Sequence, residues 1–169
     1  MALPTSRDET CAPSGKVRSA LLNALQDFII SLWAGRHGDV VEAVHPSKAR
    51  TDGTSTYSHA NQRIDSGGVS IVHYPLDVRV GDRLKSVAVA RYGTGAANIT
   101  IRLIKMTAAG AASNVESTTE VNPAAAWGTT TFNFADVTVA AGETFAIAVE
   151  FGANAMRSGT VHLTKDHPP

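Results

Sequence analysis

The chain has 169 residues, 43% of them hydrophobic and 18% charged. That is enough to bury one core and too little for two full-sized domains. The 15 basic and 15 acidic residues give a formal net charge of +0. No long-range field is available to hold a polyanion, so nucleic acid is not an expected partner.

Residues 1–13 carry Pro4, Pro13, Asp8 and Glu9 and little that is apolar. They read as a flexible tail without the apolar segment of a secretion leader, which predicts synthesis in a cytoplasm. The tail holds the single cysteine, Cys11, which cannot close a loop within its own chain and reads as a free thiol. No apolar run approaches the length needed to cross a bilayer, so no membrane insertion is expected.

A helix is predicted over 14–35. Ser14 or Ser19 can cap its start, and Gly35 and Gly38 can end it. Val17, Ala20, Leu21, Ala24, Leu25, Phe28 and Leu32 recur at the three-and-four spacing of one helical face. Leu22, Ile29 and Trp33 widen the apolar arc to roughly 160°, where a helix lying on one sheet needs about 100°. The excess is covered either by the rest of the chain or by sister copies, and periodicity does not choose between them. Leu21, Leu25, Phe28 and Leu32 also follow the seam of a short bundle. With Ile29 they are the candidate oligomerisation residues.

Residues 36–67 read as a polar arm or linker. Val40, Val41 and Val44 allow one short strand. Beyond Pro46 only Tyr57 and Ile64 are sizeable apolar side chains, too few for a core of their own.

From residue 68 to 165 the period changes to two. Val69, Ile71 and His73 alternate with Ser70, Val72 and Tyr74, and Leu76, Val78 and Val80 with Asp77 and Arg79. Further alternating runs hold Val87 and Val89, then Ile99, Ile101 and Leu103, then Phe145, Ile147, Val149 and Phe151. Weaker strands are predicted at 115–121, 127–134 and 160–164. About eight short strands separated by turn signals predict a mainly β fold: an antiparallel, jelly-roll-like β-sandwich preceded by one N-terminal α-helix.

The search for chemistry returns no catalytic, cofactor-binding or metal-binding residues. No Gly-x-Ser-x-Gly elbow is present. Six histidines, at 37, 45, 59, 73, 162 and 167, form no metal-ligand spacing. His73 reads as a partly buried, hydrogen-bonded strand residue. Asp65, Asp77, Asp82, Glu116, Glu120, Asp136, Glu143 and Glu150 are scattered and read as solvated charge that keeps strand edges apart. The run from Gly93 to Asn98 joins two strands and reads as a hairpin turn. The chain is therefore not expected to be an enzyme. Trp127 and Tyr92 are candidates for contact with a glycan. The alternative for Trp127 is that it caps one end of the core.

Two stretches carry a resemblance. Within residues 14–38, Leu22, Asn23, Leu25, Gln26 and Asp27 match a Leu-Asn-x-Leu-Gln-Asp helix, and residues 76–151 match a sandwich module. Together they resemble bacteriophage and prophage virion accessory proteins. The resemblance implies a tail-fibre-like, head-fibre-like or capsid-decorating protein located in the virion. It also implies a homotrimer, with other virion proteins of the capsid or tail as partners. It carries over no catalytic or ligand residue. The expected function is a structural particle component anchored and oligomerised through its N-terminal segment. A carbohydrate-binding sandwich that contacts host-surface glycan and a capsid-stabilising protein are the alternatives.

Overall fold

The computed structural model describes residues 24–26, 28, 29 and 39–166. Residues 24–26, 28 and 29 are helical, within the helix predicted over 14–35. Leu21 and Leu32, like the tail with Cys11, lie outside the described residues.

Eleven strands follow: β1 (Val40–Val44), β2 (Arg50–Thr51), β3 (Ser55–Ser58), β4 (Arg63–Ser66), β5 (Ser70–Pro75), β6 (Arg83–Tyr92), β7 (Ile99–Met106), β8 (Ala112–Glu120), β9 (Trp127–Thr138), β10 (Thr144–Phe151) and β11 (Arg157–Asp166). One sheet has the order β3-β4-β11-β6-β9, with β1 also paired to β11, and the other has the order β2-β5-β10-β7-β8. Every pairing is antiparallel. Strands β4 to β11 thus give the order 4-11-6-9 facing 5-10-7-8, the jelly-roll arrangement. The mainly β sandwich expected from the period-two pattern is the observed fold.

The core lies between the two sheets, where Val72, Leu84, Val87, Val89, Ile101, Leu103, Ile147, Val149, Val161 and Leu163 are fully buried. β5 shows which of its two faces turns inward. Ser70, Val72 and Tyr74 are buried, while Ile71 and His73 are exposed. The expectation of a partly buried His73 is therefore corrected. The inward choice follows Tyr74, whose ring spans the core and whose hydroxyl meets Ser158 Oγ at 2.6 Å and the carbonyl of Gly159 at 3.1 Å, both on the opposite sheet. Desolvation pushes the Tyr74 phenol well above its ordinary value of 10.0 despite the Ser158 bond, so it stays a neutral hydroxyl.

Two segments differ from the sequence reading. Residues 40–66, expected as an arm or linker, contribute β1 to β4 and pair with β11 and β5. Val44 and Ile64 belong to the core. Buried hydroxyls do much of the remaining work in place of apolar side chains. Ser55 Oγ lies 2.6 Å from Ser70 Oγ, and Ser66 Oγ bonds Ser70 Oγ at 3.2 Å and the carbonyl of Ala153 at 3.1 Å. A hydropathy pattern counts such serines as polar, although paired hydroxyls are buried at little cost. Conversely, residues 76–80 form no strand. Asp82 accepts from the Arg79 amide at 2.9 Å and returns its own amide to the Arg79 carbonyl at 3.0 Å, which winds the segment into a turn.

At the β8–β9 edge the sheets are bridged by side chains. Glu116 accepts from the Ala135 amide at 2.8 Å. Glu120 of β8 holds Arg91 of β6 and the Thr130 hydroxyl of β9. These two glutamates, expected as solvated charge, instead close the sandwich and shield its edge. Burial pushes the Glu120 carboxyl up, and the Arg91 and Thr130 hydrogen bonds with the Arg91 charge outweigh it. The net result lies below the ordinary value of 4.5.

Two outcomes follow from these contacts. Tyr74→Phe leaves the buried Ser158 hydroxyl without its partner and is expected to cost about 1–3 kcal/mol in denaturant unfolding. Glu120→Gln is expected to lower stability at neutral pH. Because the native carboxyl is depressed, its contribution is present above the unfolded value and disappears as pH falls through the native one. The gap between variant and wild type therefore narrows in acid, which thermal melts across a pH series would read.

A candidate ligand-binding row

At one end of β6 the chain reaches Tyr92, on the outer face of its sheet. Pairing registers place Trp127 of β9 on one side of it and Arg157 of β11 on the other. Arg157 in turn faces Asp65 of β4, and Asp65 faces Thr56 of β3. Successive antiparallel pairs thus line up side chains from five adjacent strands in one row, with cross-strand neighbours close enough to touch.

The row is held by its own contacts. The Tyr92 and Trp127 rings meet edge to face, with centroids 5.9 Å apart and planes at 68°. The guanidinium carbon of Arg157 lies 4.7 Å from the Tyr92 ring centroid, a cation–π contact. Arg157 Nε lies 3.0 Å from Asp65 Oδ1, and Arg63 Nε donates to the same oxygen at 2.8 Å. Trp127 remains 49% exposed, so the reading in which it caps the core end is corrected. It stands on the outer surface.

Beside the row the sheet surface is low. Ala88 and Ala90 of β6 and Gly159 of β11 form its floor. Gly159 sits where the β11–β6 register shifts between Ser158 and Val161. A Cβ there would come within 3.2 Å of the Ala90 methyl and 3.7 Å of Trp127 Cζ3, so the indole rests over a position kept bare by glycine. On the inner face, Gly128 leaves room for the Arg91 guanidinium, which a Cβ would overlap. The neighbouring loops are tied together. Gly95 donates to the Pro123 carbonyl at 2.7 Å, and a Cβ on Gly93 would collide with that carbonyl.

The two residues singled out from sequence for glycan contact are therefore neighbours. Arg157, Arg63 and Asp65 were missed as members of the row. Their residue types carried no motif, and only the strand order brings positions 65, 92, 127 and 157 together. A second aromatic group lies elsewhere on the surface: Tyr57 meets His45 at 6.2 Å and His59 at 4.8 Å, both edge to face. A depression of about 390 Å³ beside β1 is lined by Glu42, Asp77, Asp82 and Lys165 among others. Lys165 there reaches Glu42 at 3.0 Å and Asp82 at 3.2 Å, so its charge is answered within the chain. Of the candidate oligomerisation residues, Leu25, Phe28 and Ile29 are exposed by 52%, 59% and 38%. Among the described residues no group of three or more His, Cys, Asp or Glu could hold a metal ion, and no helix is long and apolar enough to cross a membrane.

No family model matches the sequence, and no curated protein matches it. Solved structures align with the chain. A family two carbohydrate esterase from Cellvibrio japonicus superposes with a TM-score of 0.50 at 10% identity, covering 78% of this chain and 36% of that one, so the chain spans little more than a third of the esterase. A carbohydrate-binding module of family 29 aligns with a TM-score of 0.49 at 16% identity over 74% of this chain and 88% of that one. A family 35 carbohydrate-binding module from Paenibacillus barcinonensis aligns with a TM-score of 0.46 at 10% identity over 73% and 97%. The likeness is one of sandwich architecture.

Proposed function

We propose that this chain is a non-catalytic carbohydrate-binding sandwich whose glycan lies on the row headed by Trp127 and Tyr92. The observation that carries the reading is an exposed indole packed edge to face on a tyrosine, with ionised side chains next in line. One face of a sugar ring presents C–H groups, which match the negative face of an indole, while its hydroxyls require donors and acceptors at the rim. Arg157 supplies donors and Asp65 supplies acceptors. The ring contacts, the ion pairs and the tied loops fix these groups before a ligand arrives, which limits the entropy lost on binding. The full chain on a glycan array is expected to retain a defined set of sugars. Trp127→Ala or Tyr92→Ala should weaken binding at least about tenfold, near 1.4 kcal/mol, with little change in melting temperature for the half-exposed Trp127. Absence of binding to every glycan would refute the proposal.

A second reading, a component of a phage or phage-like particle anchored through its N-terminal segment, draws on Leu25, Phe28 and Ile29. Three large apolar side chains exposed on so few helical residues are a surface that self-association would bury. Copies joined there would form the homotrimer that the virion resemblance implies, with capsid or tail proteins as further partners. Light scattering compares the full chain with a chain starting at Asp39, which keeps all eleven strands. An oligomer in the first and a monomer in the second is expected. Monomers in both would remove the assembly role.

A further inference from the structure

Building on the carbohydrate reading above, we infer that the row selects saccharides bearing carboxylate groups. The sugar chain runs across the strands, and an acidic sugar sits on Arg157. Three steps of pairing separate Trp127 from Asp65, through Tyr92 and Arg157. At about 4.8 Å per strand the row covers roughly 14 Å, the footprint of a short oligosaccharide rather than of one ring. Its direction is set by the strand order, so a ligand following it lies perpendicular to β6.

The charge along the row is uneven. The Trp127–Tyr92 end holds no ionised group. At the other end two guanidinium groups, Arg63 and Arg157, converge on a single oxygen of Asp65 at 2.8 and 3.0 Å. One carboxylate answers one of them and leaves a surplus positive charge. Another ionised pair, Arg91 with Glu120, lies on the inner face and cancels itself. Arg157 engages Asp65 through Nε. Its terminal nitrogens belong to a planar fork suited to a second carboxylate. The arginine side chains are 21% and 29% exposed, open to a ligand yet partly screened from water. A neutral sugar satisfies the aromatic end and leaves the charge unanswered, whereas an acidic sugar satisfies both.

The test measures affinity of the full chain for matched pairs: oligogalacturonate against its methyl ester, and sialyllactose against its methyl ester. Each pair differs in the presence of a free carboxylate. The acidic member is expected to bind about tenfold more tightly in at least one pair, the size of one charge-assisted contact at a partly exposed site. Arg157→Gln should bring the members of each pair to parity. Asp65→Asn should strengthen acidic binding severalfold by removing the competing carboxylate, a gain that mere damage to the fold does not produce. Melting curves for both variants establish that they are folded. Equal affinity within both pairs would overturn the charge selection and leave the aromatic platform intact. Binding of neither member of any pair, with a silent glycan array, would overturn the parent reading instead.

Discussion

The register of β6 is the constraint on which both the core and the row depend. This strand lies between β11 and β9 and pairs with both over most of its length. Its side chains alternate, so Leu84, Val87 and Val89 enter the core while Ala88, Ala90 and Tyr92 face outward. A slip by one residue would exchange the two sets, burying Tyr92 and exposing the valines. The register therefore cannot drift without dissolving the core, and the position of Tyr92 between Trp127 and Arg157 comes with it. The bulges add to this. Shifts between Leu84 and Ser86 and between Ser158 and Val161 break the uniformity that lets strands slide.

The opposite sheet reaches into the same device. Tyr74 of β5 crosses the core and bonds Ser158 and Gly159, the residues at the β11 bulge. Directly preceding them is Arg157, on the outer face. A buried hydroxyl on one sheet thus fixes the backbone that carries a row residue on the other, and it fixes the glycine over which the indole rests. On the same inner face Arg91, the neighbour of Tyr92, is held by Glu120 from β8. Core contacts thus support both strands of the Tyr92–Arg157 pair from beneath. This support explains how an exposed surface keeps its geometry without a ligand to organise it.

What the sequence disclosed follows from which interactions leave a local trace. β7 and β10 were legible because Ile99, Ile101 and Leu103, and Phe145, Ile147, Val149 and Phe151, repeat every second residue, between partly exposed residues in β7 and largely between small buried alanines in β10. β3 and β4 were not, because Ser55 and Ser66 enter the interior as hydrogen-bonded hydroxyls and look like loop residues to any hydropathy scale. The paired faces of β5 could not be ranked, since Val69, Ile71 and His73 offer as much apolar surface as Ser70, Val72 and Tyr74. The tyrosine hydroxyl and its distant partners decided the matter. Trp127 and Tyr92 were recognisable one at a time as large amphipathic rings. Their adjacency, and the convergence of Arg63 and Arg157 on Asp65, are properties of strand order, and periodicity carries no information about that.

The placement of β1 bears on how the two proposed roles fit one molecule. The described sandwich begins at Asp39, and Val40 pairs with Lys165 near the end of β11. Arg157 stands at the other end of that strand, with Asp65, Tyr92 and Trp127 beside it. Lys165 lies eight positions on from Arg157, a distance of roughly 26 Å at strand rise, shortened somewhat by the bulge. The chain preceding Asp39 therefore joins the sandwich at the end remote from the row. A protein tethered through its N-terminal segment would hold the aromatic and arginine groups at its far end, where a glycan surface could reach them. A row beside the tether would instead be obstructed by whatever the tether binds. The two proposed roles, anchoring and sugar recognition, thus fall at opposite ends of β11.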